Sequence, residues 1–297
     1  MSCGYEVTPA QVCGIFGEIR KRRPLIHMLP NTVSASLCAD GLSALGARPL
    51  MAVSPREMTE ITRQADGSVI NLGQPDDIKL EAARLAMAEA FHLAKPLVLD
   101  PVGCGASHFR LRAVQELLAM PWRGIVKGNR SEVYSIQQNQ VTREGVDAIA
   151  RHEVSDKAAC GRVYLVTGEE DAILWEAGSL RLPHGRGGRT GKGNRYNIVG
   201  SGCLLGAVVG ACYSVLLPAL PETGDLPSNA DIGDVAEAGD AVRVTAALAA
   251  SLGMAYSLER AALAPGYGMA KYFLLDGLAA LTGREFEDWL AQRVFVE

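Results

Sequence analysis

Residues 69–103 read VINLGQPDDIKLEAARLAMAEAFHLAKPLVLDPVG, and this stretch contains a complete strand–helix–strand unit. Residues 69–72 are apolar apart from Asn71 and end at Gly73, which predicts a buried strand. Pro75 and two aspartates follow, a combination typical of a helix start, and the helix is expected to end near residues 95–96. Residues 97–100 predict the next strand.

The same pattern continues along the chain. Residues 124–127 and 163–167 predict two further apolar strands, each preceded by a segment of helical length. Apolar strands that alternate with helices indicate a mainly parallel sheet covered by helices on both faces. No linker or repeat divides the sequence, so we expect one α/β domain over residues 1–297.

Composition excludes several classes of protein. With 48% hydrophobic and 21% charged residues, and 32 Gly against 14 Pro, the chain is not disordered, collagen-like or a coiled coil. The net charge of −4 gives no electrostatic reason to bind nucleic acid. The seven cysteines form no CxxC pair, which favours reduced thiols and a cytoplasmic location.

Two segments bear on targeting and membranes. The N-terminus has no apolar core typical of a signal peptide, and the basic run 20–23 is interpreted as a solvated helix end. Residues 198–217 carry no charge and approach the length of a membrane span. A turn at residues 200–202 leaves about 15 residues of helix, which favours a core helix in a soluble protein without a membrane partner.

Polar side chains recur where the predicted strands end: Asp100, Lys127 with Asn129, and Thr167. Glu132 follows shortly after Asn129. Ligands of open parallel sheets bind beyond the carboxyl ends of the strands, so we expect the site there. Taken singly, each residue could instead cap a helix or close a turn.

Gly200, Ser201, Gly202 and Cys203 precede the apolar helix. The glycines and the helix N-terminus suit a phosphate or a developing oxyanion. In the first helical turn the pKa of the Cys203 thiol is expected to be lowered. The alternative is a buried cysteine that acts as a small hydrophobe. The Arg/Gly-rich residues 184–195 lack a phosphate-loop motif and are interpreted as a surface loop or a phosphate-closing lid.

Seven blocks of sequence, in order, are similar to the hydroxyethylthiazole kinase family. They are PLIH at 24–27, ADGLSALGA at 39–47, PLMA at 49–52, VLDPVG at 98–103, KGNRSE at 127–132, VTGE at 166–169 and GSGCLL at 200–205. The resemblance implies a three-layer ribokinase-like domain. Against this family, residues 1–23 are expected to be an N-terminal extension, and residues 184–197 and 218–240 to be surface loops.

The resemblance also implies an activity: MgATP phosphorylates the hydroxyl of 4-methyl-5-(2-hydroxyethyl)thiazole in thiamine biosynthesis or salvage. By position it implies Cys203 as catalytic residue; ATP contacts at Lys127, Asn129, Thr167 and Gly202; thiazole contacts at Asn31, Met51 and Gly200; and Mg²⁺ at Asp100 and Glu132. Asn31 is expected at the N-cap of the helix that lines the pocket. The family forms homotrimers with sites at subunit boundaries, so a neighbour could supply the side that carries Asn31 and Met51. Lys127 departs from the arginine that is usual in the family.

Other functions stay open from the sequence. They are another ribokinase-like small-molecule kinase, an ATP-dependent nicotinamide-nucleotide hydrate dehydratase, a silent module that binds thiazole or nucleotide, and a thiol enzyme that uses Cys203 covalently. The first two normally carry Asp at the position of Cys203. A covalent thiol enzyme needs a nearby histidine base.

Overall fold

The computed structural model describes residues 7–142, 154–155, 158, 161–168, 170–182, 196–217 and 232–293, with backbone alone over 232–238. An eight-stranded sheet forms its centre, in the order β2-β1-β3-β4-β5-β6-β7-β8. The pairs from β2 to β6 are parallel, and β6–β7 and β7–β8 are antiparallel. The strands are β1 (Leu25–Leu29), β2 (Arg48–Leu50), β3 (Gly67–Asn71), β4 (Leu97–Asp100), β5 (Gly124–Asn129), β6 (Arg162–Thr167), β7 (Asp171–Trp175) and β8 (Gly178–Leu182).

Helices cover both faces of this sheet, as the continuous burial of its central strands requires. In β4, Val98 packs into one apolar cluster, whereas Leu97 and Leu99 pack into the other. The first cluster contains residues of α1 (Pro9–Arg22), α2 (Ala35–Leu45), α7 (Ser201–Leu216), α8 (Ile232–Ala262), α9 (Tyr267–Ala279) and α10 (Arg284–Ala291). The second contains residues of α3 (Met58–Gln64), α4 (Asp77–His92), α5 (His108–Ala119) and α6 (Arg130–Gln138). The predicted three-layer fold is confirmed.

Glycines on one face of helix α7 let it pack directly against the sheet. Gly202, Gly206 and Gly210 recur every four residues and share one helix face. A Cβ atom on Gly210 would approach Val69 Cγ2 to 2.5 Å, and one on Gly206 would lie 3.5 Å from Asp100 Oδ2. The glycine face therefore brings the start of α7 against the strand ends.

The N-terminal segment contributes to the core. Within residues 1–23, α1 buries Phe16 and Ile19, and Thr8 and Gln11 form a capping box at its start. The basic run at its end binds helix carbonyls: Arg20 donates to Ala44 and Ala279, and Arg22 Nη1 donates to Val215 O at 2.8 Å. These contacts explain the run as a set of C-terminal helix caps.

The predicted surface loops, residues 184–197 and 218–240, lie mostly outside the described residues. Only residues 196–197 and 232–240 of these two segments are described. Within the second segment, residues 232–240 form the start of α8, so the loop prediction is wrong for that part. The uncharged segment 198–217 forms α7, which is shorter than a membrane span. A window in α8, Gly239–Ala262, meets the length and apolarity of a span, but 83% of it is buried inside the molecule, as in the core helix of a soluble protein.

Candidate active site

The polar residues that end the parallel strands lie side by side. Asn71 at the end of β3 is in register with Asp100 at the end of β4. Asn129 at the end of β5 is in register with Thr167 at the end of β6. The carboxyl edge of the sheet thus places four strand ends in one row, and three of them, at Asp100, Asn129 and Thr167, are those that the sequence predicted.

A continuous hydrogen-bond path links these strand ends to Cys203. Lys127 Nζ donates to Asp100 Oδ1 at 3.1 Å, and Asn71 Nδ2 donates to Asp100 Oδ2 at 2.8 Å. Asn31 Nδ2 donates to Asn71 Oδ1 at 2.9 Å and approaches Cys203 Sγ to 3.3 Å. All five side chains are buried. Burial holds this network in one arrangement because an unpaired member would be costly.

Charge at the centre of the path is concentrated and shielded from water. Asp100 is fully buried, and burial raises the pKa of its carboxyl, while the Lys127 ammonium opposes that rise. For Lys127, burial lowers the pKa, but the negative charges of Asp100 and Glu132 outweigh it and raise the pKa overall. Lys127 therefore stays positively charged at the edge of the sheet.

Glu132 stands in the first turn of α6 and closes a capping box with Asn129. Its Oε1 accepts from the backbone N–H of Gly103 at 2.8 Å, and its Oε2 accepts from the N–H of Asn129 at 2.7 Å. Asn129 Oδ1 in turn accepts from the N–H of Glu132 at 2.8 Å. Burial, partly opposed by Lys127, raises the pKa of Glu132 to about 7. Asn129 and Glu132 therefore do cap helix α6, and these capping hydrogen bonds fix the position of the Glu132 carboxylate.

Cys203 lies in the first turn of α7, but the expected direction of its pKa is wrong. Burial and then the nearby charge of Asp100 raise the pKa of the thiol. The helix N-terminus and Lys127 favour the thiolate less than these two effects disfavour it. Cys203 is therefore protonated at neutral pH.

The start of α7 and Lys127 together form a positively polarised site. Gly200 is the N-cap with φ of +86°, a conformation that favours glycine, and no described side chain caps this helix. A Cβ atom on Gly200 would lie 2.9 Å from Ser34 Cβ, and one on Gly202 would lie 3.5 Å from Lys127 Nζ. The helix N-terminus and the ammonium thus lie close enough to bind one anion.

Asn31 differs from its predicted place at the N-cap of α2, where the structure has Ser34. Asn31 Oδ1 accepts from the N–H groups of Val33 and Ser34, both at 3.0 Å, and so caps the turn before the helix. Since its amide also contacts Cys203 of the same chain, no neighbouring subunit is needed to bring the two together.

Met51 is a predicted site residue that lies well apart from this network. It follows β2 at the edge of the sheet, three strands from β4, and is half-buried against the core. At about 4.8 Å between neighbouring strands, it lies on the order of 14 Å from the end of β4 along the sheet.

Asn71 is the network residue that sequence reasoning missed. It accepts from Asn31 and donates to Asp100, so it joins the substrate side of the network to the charged side. Its place as the polar last residue of an apolar strand, like Asp100 in the next strand, is the signal that could have identified it.

The carboxylates suit Mg²⁺ by their chemistry. Asp100 and Glu132 provide hard oxygen atoms, and the raised pKa of Glu132 indicates negative charge that the surroundings do not fully compensate. Each carboxylate keeps free lone pairs beside its present hydrogen bonds. Among the described residues, no group of three or more His, Cys, Asp or Glu side chains could hold a metal.

Sequence comparisons associate the chain with one family. A model described as the hydroxyethylthiazole kinase family matches residues 16–225. The hydroxyethylthiazole kinase of Listeria monocytogenes is 36% identical over 204 residues, which cover 67% of this chain and 74% of that protein. The hydroxyethylthiazole kinase of Exiguobacterium sp. is 36% identical over 223 residues, which cover 70% and 80%.

Solved structures agree on the fold. The hydroxyethylthiazole kinase protein of Pyrococcus horikoshii superposes with a TM-score of 0.69 at 23% identity, covering 96% of this chain and 97% of that one. A ribokinase-like superfamily protein of Enterococcus faecalis superposes with a TM-score of 0.50 at 12% identity, covering 97% and 92%. At these identities the likeness supports the ribokinase-like fold and nothing finer.

Proposed function

The chain belongs to the hydroxyethylthiazole kinase family, and we propose that it transfers the γ-phosphoryl group of ATP to the hydroxyl of 4-methyl-5-(2-hydroxyethyl)thiazole. The product is the thiazole phosphate used in thiamine biosynthesis. The observation that carries this proposal is the buried path from Lys127 through Asp100, Asn71 and Asn31 to Cys203 at the start of α7.

In the reaction, the hydroxyl oxygen of the thiazole forms a bond to the γ-phosphorus, and the bond from that phosphorus to the β,γ-bridging oxygen breaks. ADP leaves, and the hydroxyl proton passes to a neighbouring group or to water. Such transfers pass through a loose transition state, so positioning and charge stabilisation contribute more than a strong base.

ATP would be held by Lys127, Asn129, Thr167 and Gly202. The ammonium of Lys127 would bind phosphate oxygens as a point charge, and the backbone N–H groups at the start of α7 would bind the transferring group. The position of Lys127 Nζ next to the space that a Cβ atom on Gly202 would occupy supports this division of roles. Asn129 and Thr167 lie opposite each other on β5 and β6 and would line the nucleotide side.

Asp100 and Glu132 would hold Mg²⁺ through water. When bound, the ion supplies positive charge that neutralises the phosphate oxygens. Without it, Asp100 orients Lys127 and Glu132 fixes the turn at Gly103 and the start of α6.

Cys203 would contact the reacting hydroxyl as the catalytic residue. Because its raised pKa keeps the thiol protonated at neutral pH, Cys203 has little thiolate available to accept a proton, and it orients the hydroxyl more than it removes the proton. Asn31 contacts the thiol, and Gly200 lies against Ser34 at the start of the same helix; both would contact the thiazole.

We further propose a cytoplasmic homotrimer with its sites at subunit boundaries, in which Met51 contributes to a neighbouring site. Three exposed apolar side chains support such an interface near the Asn31–Gly200 side: Val33 is 64% exposed, Val199 63% and Tyr267 58%. Tyr267 donates to Asn197 O, which places it beside Val199. Light scattering of the purified protein measures the mass, and a monomeric mass contradicts the trimer.

The contacts of Cys203 weaken the covalent thiol-enzyme alternative. The amide of Asn31 and the carboxyl of Asp100 are hydrogen-bond partners of its thiol, whereas buried His27, which could act as a histidine base, contacts Ala52 and Ser68 instead. The test is ATP consumption with the thiazole alcohol, compared with pyridoxine, hydroxymethylpyrimidine and ribose at equal concentration. Preference for one of the other alcohols supports another small-molecule kinase. ATP consumption with a hydrated nicotinamide nucleotide supports the dehydratase, and binding without turnover supports the silent module.

A further inference from the structure

We infer that Lys79 is a positioning residue: its ammonium ties the loop that carries Asn31 to the loop that follows Asn71, and so holds the Asn31 amide against the Cys203 thiol. The expected effect of Lys79 on kinetics rests on the proposed function, whereas its contacts with the two loops do not depend on it.

The two loops leave neighbouring strands. Residues 30–34 follow β1 and lead into α2, and residues 72–76 follow β3 and lead into α4. Lys79 extends from the first turn of α4, and its Nζ donates to Pro30 O and to Gly73 O, both at 2.6 Å. One ammonium therefore bridges the residue before Asn31 and the second residue after Asn71.

A second side chain joins the same loops. Gln74 Oε1 accepts from the backbone N–H of Thr32 at 3.1 Å and from its Oγ1 at 2.6 Å. Gln74 has φ of +55°, a left-handed conformation that is strained for a side chain other than glycine. The strained residue is the one whose side chain binds Thr32, so the contacts between the two loops compensate for the backbone strain at Gln74.

Close packing leaves Asn31 little room between these bridges. A Cβ atom on Gly73 would approach both Cβ and Nδ2 of Asn31 to 2.9 Å. The Gly73 N–H also donates to Asn71 Oδ1 at 3.0 Å, the oxygen that receives the Asn31 amide. A shift of the 72–76 loop therefore moves the partners of Asn31, and with them the donor to Cys203 Sγ.

The charge of Lys79 comes at an energetic cost. The side chain is half-buried, and burial lowers its pKa to about 8, with Asp76 opposing the shift. An apolar side chain would fill this place without that cost. What the ammonium gains in return is its two hydrogen bonds to the carbonyl oxygens of Pro30 and Gly73.

The chain provides a matched control in Lys95. Its Nζ also donates to two backbone carbonyls, Ala65 O at 2.7 Å and Arg63 O, and burial lowers its pKa as well. Lys79 lies in the first turn of α4, whereas Lys95 lies between the end of α4 and β4, and the Lys95 bridge holds the α3–β3 turn and contacts no loop of the site. Lys79→Met and Lys95→Met thus remove equivalent bridges, only one of which joins the site loops.

The experiment has two readouts. Iodoacetamide labelling of the Cys203 peptide, followed by mass spectrometry, reports the environment of the thiol without requiring kinase activity. For Lys79→Met we expect labelling about fivefold faster than wild type, with Lys95→Met within about twofold. In kinetics, we expect the KM for thiazole alcohol to rise about tenfold in Lys79→Met, which corresponds to about 1.4 kcal/mol, while the KM for ATP stays unchanged.

Gln74→Gly gives an independent variant, because glycine suits the positive φ and removes only the bridge to Thr32. It should change both readouts in the same direction by a smaller factor. Wild-type labelling rates in both Lys79→Met and Gln74→Gly, or equal changes in Lys79→Met and Lys95→Met, would overturn the inference. Absence of thiazole phosphorylation by the wild type counts against the proposed function alone, since the labelling rates still decide whether Lys79 holds the Asn31 amide against the Cys203 thiol.

Discussion

Replacing Lys127 by methionine should destabilise the protein strongly, because it leaves Asp100 as an unpaired buried carboxylate. The two groups are 3.1 Å apart, with side-chain exposures of 5% and 0%. At that distance and an effective dielectric constant of about 20, their attraction is about 5 kcal/mol. Asp100 escapes by taking up a proton, which from an ordinary pKa near 4 costs about 4 kcal/mol at pH 7. We therefore expect Lys127→Met to lower the free energy of unfolding by about 3 to 5 kcal/mol.

A double-mutant cycle isolates this interaction. In the Asp100→Asn background no carboxylate is left without its partner, so Lys127→Met should cost only about 1 kcal/mol there. Urea unfolding followed by circular dichroism, at pH 7 and with chelator present, measures all four proteins. Arg84→Met serves as the control, because Arg84 pairs with Glu116 at 2.9 Å on the surface and should lose under about 1 kcal/mol. Equal costs of Lys127→Met in both backgrounds would refute the coupling.

Three further predictions concern the carboxylate, the thiol and the basic run. Glu132→Gln leaves one of two backbone N–H groups without an acceptor, so it should lose about 1 to 3 kcal/mol of stability and lower turnover at least tenfold; full turnover, or wild-type activity in excess chelator, contradicts the magnesium role. Because the folded pKa of Glu132 is about 7 and its ordinary value 4.5, wild-type stability should fall as pH rises through this window, and urea titrations should show a shallower fall in the variant. Cys203→Asp should keep phosphoryl transfer, and Cys203→Ala should reduce it without abolishing it, as measured by ADP release; complete loss in a folded Cys203→Asp protein contradicts the place of residue 203 beside the reacting hydroxyl. Arg22→Ala should lose about 1 kcal/mol, measured by thermal melting, because the Val215 carbonyl at the end of α7 loses its donor; an unchanged melting temperature contradicts the capping role.

The strands were predictable where local sequence and burial agree. Residues 97–100 were predicted as a strand and form β4 with the same bounds, and α4 begins at Asp77 after the predicted Pro75–Asp77 start. The β7–β8 hairpin and the packing of α1 were not predicted. Their positions depend on distant partners, such as the contact of Phe16 with Phe286, which no local pattern shows.

The site was predictable as a row of strand ends, but its electrostatics were not. The sequence placed Asp100 and Lys127 at neighbouring strand ends, and the parallel register brings them together. The pKa of Cys203 depends on burial and on Asp100, neither of which can be read near residue 203. The role of Asn71 likewise depends on side chains far from it in sequence: Asn31 in the loop before α2, Asp100 in β4 and, through Asn31, Cys203 in α7.

The most direct test of the whole account is mass spectrometry of the reaction products. Purified protein is incubated with ATP, Mg²⁺ and an equimolar mixture of thiazole alcohol, pyridoxine, hydroxymethylpyrimidine and ribose, with Cys203→Ala run in parallel. We predict that the thiazole alcohol alone gains one phosphoryl group, with equimolar ADP formed, and that Cys203→Ala forms the same product more slowly. Phosphorylation of another alcohol in preference to the thiazole, or ADP release without thiazole phosphate, would contradict the account.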